Sequence, residues 1–236
     1  MPPPFDVVVF DLDHTLFDFE LSKHLAFERL LDDHRVPDPD GDLVDRFSEW
    51  AAPLWRRLED GTLTLATLNQ ERFELLVERA GLSADPAAMA VDYLALLGGL
   101  GGLLPGARDL LDTLASSGVR MALASNGYGE VQRARLDQFD LGRYFDAVAI
   151  SGELGHAKPS PAFFERLFAE LDRPDPAASL MVGDSLTSDM AGGRAFGMVT
   201  CWYAPQLGVR PAEPIERPLS VDHVVTDLAA IADLAR

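Results

Sequence analysis

The chain has 236 residues, of which 47% are hydrophobic and 25% are charged. This composition is typical of a globular protein that buries a core, either as one large domain or as a main domain with an insert. Its 38 acidic and 20 basic residues give a formal net charge of −18, which argues against a nucleic-acid polymer or an anionic membrane as partner, because both require a basic surface.

The cysteine content and the N-terminal segment favour a cytoplasmic location. Cys201 is the only cysteine, so no internal disulfide can form and a reducing compartment is expected. The N-terminal MPPPFD lacks the basic and then apolar pattern of a secretion signal. The longest apolar stretch, which begins at Tyr93, is broken by glycines and is too short to span a bilayer.

Short apolar runs alternate with amphipathic stretches along most of the chain. The runs, which predict strands, are Val7–Phe10, Val119–Ala124, Ala147–Ile150, Leu180–Val182, Val199–Tyr203 and His223–Val225. The stretches, which predict helices, are Ala107–Ser116, Gly129–Phe139, Pro161–Leu171 and Ser188–Phe196. This alternation predicts an α/β fold with a doubly wound (Rossmann-like) parallel sheet. Ligands of such sheets bind beyond the carboxyl ends of the strands.

Residues from about 19 to 100 interrupt the alternation. "DLVDRFSEWAAPLWRRL" and "LNQERFELLVERAGL" carry apolar residues at helical spacing and contain no strand-like run. We therefore predict an all-helical domain at residues 18–102, inserted into an α/β core formed by residues 1–17 and 103–236. Phe17–Glu20 is its predicted outgoing linker. The glycine-rich Gly98–Gly102 and Pro105–Gly106 form its predicted return linker, which is either a hinge or a plain loop.

Two pairs of aspartates follow predicted strands. Asp11 and Asp13 follow the first strand, and Asp184 and Asp189 follow the fourth. Residues i and i+2 of an extended chain point the same way, so Asp11 and Asp13 can face one crevice. Carboxylates ~4 Å apart repel by on the order of 4 kcal/mol at an effective dielectric of about 20. A hard divalent cation removes this repulsion, and Mg²⁺ is the usual one.

Two more polar segments follow predicted strands. Lys158 is one of only two lysines in a chain that otherwise uses arginine, and its compact ammonium suits a phosphate oxygen or an aspartate nucleophile. In "LASNG", Ser125 ends the second strand and Asn126 begins a tight turn. A hydroxyl and turn N–H groups at this position can donate to a phosphate.

Together these segments resemble the haloacid dehalogenase (HAD) superfamily of phosphohydrolases, whose signature is DxDx[TS], a Ser or Thr, a Lys and a GDxxxxD-type acidic pair. Here the signature reads "DLDHT", Ser125, Lys158 and "GDSLTSD". The resemblance implies that Asp11 is a nucleophile that becomes aspartyl-phosphate and that Asp13 is the general acid and base. It also implies that Ser125 and Lys158 bind phosphate and that Lys158 restrains Asp11.

The same resemblance implies a metal site and a cap. Mg²⁺ would be bound by Asp11, the backbone carbonyl of Asp13 and Asp184, with Asp189 supporting the site. The helical insert would be a cap that closes over a small soluble phosphorylated metabolite and excludes water. Whether the protein is a monomer or a homodimer stays open.

A finer resemblance is to the bacterial pyrimidine 5′-nucleotidase (YjjG-like) branch. It rests on "GDSLTSDMAGGRAFGMVTCWYAP", "ALASNGYGEVQRARL" and, in the helical insert, "LWRRLEDGTLTLATLNQERFELL". It implies a Mg²⁺-dependent phosphomonoesterase that acts on nucleoside 5′-monophosphates. Other capped phosphatases, acting on phosphoglycolate, sugar phosphates or acylneuraminate 9-phosphate, remain alternatives because they share the same core chemistry.

The motifs disfavour three more distant alternatives. A 2-haloacid dehalogenase lacks the second aspartate, so Asp13 favours phosphate transfer. A GDSL-type serine esterase carries its motif near the N-terminus, whereas "GDSL" lies late in this chain, and that reading leaves Asp11 and Lys158 unexplained. A non-catalytic partner-binding protein with this fold would be favoured by a lost motif residue, and none is lost.

Several residues near the motifs invite a role. His14, between Asp13 and Thr15, is interpreted as an orienting or exposed histidine rather than a catalytic one. The helical spacing of Trp50 and Trp55 favours the core of the insert over base stacking. Phe17 and Phe19, just after the first motif, are better candidates for contact with substrate.

Overall fold

A computed structural model describes residues 4–208 and 221–236. Within those ranges, six parallel strands form one sheet in the order β3-β2-β1-β4-β5-β6. They are β1 (Val7–Phe10), β2 (Met121–Ser125), β3 (Ala147–Ile150), β4 (Ser179–Gly183), β5 (Val199–Tyr203) and β6 (His223–Val225). The predicted α/β fold with a parallel sheet is confirmed. The start of the N-terminal MPPPFD (residues 1–3) and residues 209–220 of the predicted core lie outside the described residues.

The central strand β1 is buried on both faces, which is why its sequence, VVVF, has no polar alternation. Val8 and Phe10 belong to one hydrophobic cluster, together with residues of α5 (Ala107–Ser116) and α11 (Leu228–Ala235). Val7 and Val9 belong to a second cluster, together with α8 (Pro161–Glu170). The other helices that follow strands are α6 (Gly129–Gln138), α7 (Ser151–Leu154), α9 (Ala191–Phe196) and α10 (Pro205–Gly208). Helices therefore cover both faces of the sheet, as in a doubly wound fold.

Four helices between β1 and α5 form what we call the helical layer. They are α1 (Phe19–Asp33), α2 (Leu43–Glu59), α3 (Leu65–Ala80) and α4 (Pro86–Gly99). They enclose a hydrophobic cluster of their own, centred on aromatic rings whose centroids lie 5.0–6.2 Å apart: Phe27, Phe47, Phe73 and Tyr93. The layer meets the sheet region where α4 packs on α6.

The two chain segments that enter and leave the helical layer lie side by side, because Phe17 and Leu103 form an isolated antiparallel bridge. The predicted linkers are shorter than expected. Helix α1 already begins at Phe19, with the Asp18 carboxylate accepting from the Leu21 amide at 3.0 Å. Helix α4 runs through Gly98, where a Cβ would come within 3.1 Å of the Ala134 Cβ of α6. Gly98 thus permits close helix packing, and the division at residues 18–102 stays a prediction.

Other boundaries also differ from the predicted ones. Strand β2 begins at Met121 rather than Val119, because the Val119 amide donates back to the Leu114 carbonyl at the end of α5, at 3.0 Å. Helix α9 begins at Ala191 rather than Ser188, because Leu186–Met190 forms a π-helical turn. The short helix α7 was not predicted, since four residues carry no readable period.

Candidate active site

The first motif lies where β1 ends. The Asp11 amide donates to the Val182 carbonyl at 2.9 Å, so the chain is still in the sheet at this residue. The chain then turns sharply. The backbone of His14 adopts a left-handed conformation, with φ 64°, and the amides of the next three residues all donate to the Leu12 carbonyl. The Thr15 hydroxyl donates to Asp11 Oδ2 at 3.1 Å. Asp11 is therefore held rigidly and is 6% exposed.

Lys158 is a fully satisfied buried ammonium. Its Nζ donates to Asp11 Oδ1 at 2.7 Å, to Asp189 Oδ1 at 2.6 Å and to the Ala124 carbonyl at the end of β2 at 2.6 Å. An ammonium has three protons to donate, and all three are used here. Lys158 thus ties together the ends of three neighbouring strands, and the predicted contact between Lys158 and Asp11 is present.

The second acidic pair lies after β4 and depends on a π-helical turn. The Asp189 carboxylate turns back so that its Oδ2 accepts from the Ser185 amide at 3.0 Å. The Asp189 carboxylate therefore lies against the Cα of Gly183, and a Cβ on residue 183 would overlap that carboxylate. The Asp184 carbonyl accepts from Trp202 Nε1 at 2.7 Å, which anchors the loop to β5. π-Helical turns of this kind recur at functional sites.

The three carboxylates of this cluster face one ammonium. Burial raises the pKa of the Asp11 carboxyl well above its usual range. Lys158 lowers this pKa, whereas Asp189 and Asp184 raise it further. Burial raises the pKa of Asp184 to about 6, with Asp189 adding to the effect. Burial alone would lower the pKa of Lys158, but Asp11 and Asp189 outweigh burial and raise it. The cluster therefore sets three carboxyl groups against one ammonium, and a further cation beside them would favour their ionised forms.

The same carboxylates have the chemistry of a divalent-cation site. Asp11, Asp184 and Asp189 each offer an oxygen, and these oxygens lie within 4.8 Å of one another. Oxygen-only donors at this spacing fit a hard cation such as Mg²⁺. Both oxygens of Asp189 accept hydrogen bonds from Lys158 and Ser185, and both oxygens of Asp11 accept them from Lys158 and Thr15, so these hydrogen bonds do not single out which of the carboxylates would hold the ion.

Asp13 is held by two residues of α6. Gln132 Nε2 donates to Asp13 Oδ2 at 2.7 Å, and Arg135 Nη1 donates to Asp13 Oδ1 at 2.6 Å. Arg135 is 1% exposed and also donates from Nε to the Leu97 carbonyl of α4 at 3.1 Å, and from Nη2 to Ser22 Oγ of α1 at 3.2 Å. One guanidinium therefore joins Asp13 to two helices of the helical layer.

The predicted phosphate-binding residues after β2 have structural partners. Ser125 is fully buried, and its Oγ accepts from Gln132 Nε2 at 2.9 Å. The Asn126 side chain bonds twice to the backbone of Lys158: Nδ2 donates to its carbonyl and Oδ1 accepts from its amide, both at 2.8 Å. Asn126 lines the active-site cavity, and Ser125 is not among its lining residues.

A cavity of about 340 Å³ opens beside the carboxylates and extends to the helical layer. Its polar end is lined by Asp11, Asp13, His14, Lys158, Asp184 and Asp189, and its other end by residues of the helical layer, Phe19, Trp55, Leu58 and Arg72, together with Tyr128. The expectation for Trp55 is corrected, since it lines this cavity rather than only the layer's core. Phe19 lines it as expected, whereas Phe17 is buried beneath Arg135.

Sequence analysis missed several residues of this site. Gln132 and Arg135 lie on the buried face of α6, beside Val131 and Leu136. Arg72 lies on the buried face of α3, beside Phe73. These residues could have been found because each is a polar residue on the apolar face of a predicted amphipathic helix. A polar residue at such a position is expected to be buried and to require a hydrogen-bond partner. Helical spacing did not indicate which partner that would be.

Comparison with known proteins identifies the family. A family model of haloacid dehalogenase-like hydrolases matches residues 5–197. The chain belongs to this family. Pyrimidine 5′-nucleotidase PynA of Streptococcus pneumoniae is 35% identical over 202 residues, covering 84% of this chain and 83% of that protein. Pyrimidine 5′-nucleotidase YjjG of Escherichia coli is 32% identical over 197 residues, covering 84% of this chain and 85% of that protein.

A solved structure agrees with this assignment. The YfnB hydrolase of Bacillus subtilis, bound to magnesium, superposes with a TM-score of 0.84 at 28% identity over 98% of both chains. The family predicted from the four motifs is thereby confirmed, and the chain is a phosphoric monoester hydrolase acting on a small phosphorylated substrate.

Among the described residues, no helix has both the length and the hydropathy that a membrane span requires.

Proposed function

We propose that this protein is a Mg²⁺-dependent phosphatase of pyrimidine nucleoside 5′-monophosphates that works through an aspartyl-phosphate. The observation that carries the proposal is the buried Asp11 carboxylate, held 2.7 Å from Lys158 Nζ at one end of a cavity, whose other end is aromatic. The identities to PynA and YjjG support the choice of substrate.

In the proposed mechanism, a carboxylate oxygen of Asp11 attacks phosphorus and the bond from phosphorus to the 5′ oxygen breaks. Asp13 gives a proton to the departing 5′ oxygen. Asp13 then takes a proton from water, the water oxygen attacks phosphorus, and the bond to Asp11 breaks, which releases phosphate and restores the carboxylate. These are a nucleophilic and a general acid–base role for two carboxylates. Lys158 and Thr15 hold Asp11 in one orientation.

The grouping of three carboxyl groups around one ammonium supports a magnesium site. Asp11, the backbone carbonyl of Asp13 and Asp184 would hold the ion, and Asp189 would support it through Lys158 and Ser185. When bound, Mg²⁺ would offset carboxylate repulsion and polarise a phosphoryl oxygen. The magnesium in the YfnB structure supports the choice of metal.

Ser125, Asn126 and Lys158 are the proposed phosphate-binding residues. The Ser125 oxygen accepts from Gln132, which leaves its hydroxyl proton available to donate, because a hydroxyl has one donor and two acceptor positions. Asn126 fixes the backbone of Lys158 on both sides of its Cα. Lys158 already donates its three protons to Asp11, Asp189 and the Ala124 carbonyl, so it would exchange one of these hydrogen bonds for one to a phosphate oxygen.

The helical layer is the proposed cap, corresponding to residues 18–102. It supplies Trp55, Leu58 and Phe19 to the cavity, and a base stacked on an aromatic ring gains ~1–3 kcal/mol in single-strand binding proteins. If this gain is expressed in the transition state, it corresponds to roughly 5- to 150-fold in kcat/KM. Phosphoglycolate has no ring with which to obtain it.

A phosphate-release assay tests the proposal. We expect activity that vanishes in EDTA, returns with Mg²⁺, and has a higher kcat/KM for dUMP than for phosphoglycolate, glucose 6-phosphate or acylneuraminate 9-phosphate. A kcat/KM for phosphoglycolate tenfold higher than that for dUMP would contradict the nucleotidase assignment but not the phosphatase assignment. Release of halide from a 2-haloacid, or full turnover in EDTA, would contradict the mechanism itself.

A further inference from the structure

Arg72 is a buried cation that has no anionic partner among the residues that the structure describes. Its side chain is 4% exposed, and it donates from Nε at 3.1 Å and from Nη2 at 2.5 Å to the same atom, Asn69 Oδ1. Across residues 4–208 and 221–236, no carboxylate forms an ion pair with it, whereas the buried cations Arg135 and Lys158 each hold aspartates. In a chain of net charge −18, a buried guanidinium without a carboxylate requires an explanation.

The surroundings of Arg72 fix it in place. Its guanidinium carbon lies 5.0–5.7 Å from the centroids of four aromatic rings, those of Phe47, Phe73, Tyr93 and Tyr128. These ring faces partly offset the cost of burying the charge. Asn69 is itself anchored, because its Nδ2 donates to the Ala90 carbonyl of α4 at 3.0 Å. The guanidinium therefore has one orientation set by α3 and α4 together.

One nitrogen of Arg72 faces the cavity. Nη1 makes none of the hydrogen bonds above. Every fully buried side-chain nitrogen or oxygen among the described residues has a hydrogen-bond partner. Because Nη1 has none, it is not fully buried. Arg72 lines the cavity at the end formed by the helical layer, with Trp55 and Leu58. Nη1 is thus the atom that reaches the cavity, and a guanidinium can only donate, so its ligand must carry an acceptor.

We propose that Arg72 is a specificity-determining residue that donates from Nη1 to a keto oxygen of the pyrimidine ring. This inference rests on the proposed function, which places the phosphate at Asp11 and Lys158 and the base toward the helical layer. The ring lies against the aromatic lining, and Arg72 recognises the oxygen at its edge. A site built around a donor discriminates against a ring that lacks the acceptor, because the buried donor is then left unpaired.

A substrate pair isolates this contact. dUMP is compared with the 5′-phosphate of the phenyl C-nucleoside, which keeps the sugar and a six-membered aromatic ring but has no acceptor. We expect the wild-type protein to prefer dUMP by roughly 10- to 100-fold in kcat/KM, the range of a hydrogen bond to a charged group. Arg72→Met should remove most of that preference, since both rings can still stack.

Arg79→Met is the matched control. Arg79 lies on the same helix and its guanidinium covers the Trp50 ring at 5.6 Å, outside the cavity, so the preference should be unchanged. An unchanged preference in Arg72→Met would overturn the assignment of Arg72. Equal kcat/KM of the wild-type protein for the two substrates would also overturn it, and this result does not depend on whether the variant folds. A wild-type protein that prefers phosphoglycolate to dUMP would instead contradict the proposed function.

Discussion

Arg135 Nη1 lies 2.6 Å from Asp13 Oδ1, although the two residues are 122 positions apart in the chain. The guanidinium is 1% exposed and sits on the Phe17 ring at 4.2 Å. Its other nitrogens donate to Leu97 and Ser22 of the helical layer. The orientation of the proposed general acid is thus coupled to the helices that lie over the cavity.

Replacing Arg135 should impair catalysis through Asp13. In Arg135→Met we expect kcat for dUMP to fall by roughly 10²-fold, the cost of misplacing a catalytic group by about 1 Å. Turnover of p-nitrophenyl phosphate should fall less, because its leaving group departs without a proton. The control is Arg133→Met on the same helix, where an exposed arginine pairs with Glu153 at 2.8 Å and a surface pair contributes little. Equal losses for both substrates would indicate a general structural defect instead.

The two aspartates of the first motif should behave differently. Asp11→Asn should abolish turnover while the protein remains folded, because an amide is a poor nucleophile. Asp13→Asn should lower kcat by about 10²–10⁴-fold, the usual effect of losing a general acid–base group. Mass spectrometry of the wild-type protein quenched with substrate should detect a phosphorylated Asp11. Near-normal turnover by Asp11→Asn, without deamidation, would rule out the covalent route.

Gly183 should not tolerate a side chain. A Cβ at this position would overlap the Asp189 carboxylate, so Gly183→Ala should displace Asp189 from Lys158. We expect destabilisation by about 1–3 kcal/mol, as for overpacking in a core, and a fall in activity at saturating substrate. Gly142→Ala is the control, because no atom lies within 4 Å of its added Cβ. Thermal unfolding and phosphate release are measured on both variants, and matching melting temperatures would refute the steric argument.

Alkaline pH should destabilise the fold through buried groups that do not line the cavity. Burial raises the pKa of Cys201 from 9.0 to about 12 and that of Tyr93 from 10.0 to about 12. Between about pH 9 and pH 12 the native protein therefore binds more protons than the unfolded chain, so the free energy of unfolding falls as pH rises. The total loss should be on the order of a few kcal/mol.

Urea unfolding at pH 8, 9 and 10 tests this expectation. Cys201→Ala should lose less stability over the same range, because it removes the group with the lower unfolded pKa. In the native protein at pH 8, Cys201 should not react with a thiol reagent, since its side chain is fully buried. Parallel pH dependence in Cys201→Ala and the wild type would contradict the role given to the thiol.

Local sequence determined the sheet and the polar end of the cavity. Val7–Phe10, Ala147–Ile150, Val199–Tyr203 and His223–Val225 were predicted with the bounds that the structure has, because a strand buried on both faces reads as an apolar run. Asp11, Lys158 and Asp189 could be predicted to meet because the carboxyl ends of parallel strands lie at one edge of a sheet.

Only the tertiary structure decided the other partners. Whether Arg135 meets Asp13, Leu97 or solvent depends on how α6 and α4 pack, and helical periodicity does not contain that information. The same holds for Arg72, whose buried position is encoded locally, whereas the placement of its cavity-facing nitrogen depends on Asn69 and on rings of three other segments, Phe47, Tyr93 and Tyr128. Short motifs encode the residues at the strand ends, whereas the cavity surface that we propose to select the leaving group forms only when separate helices pack together.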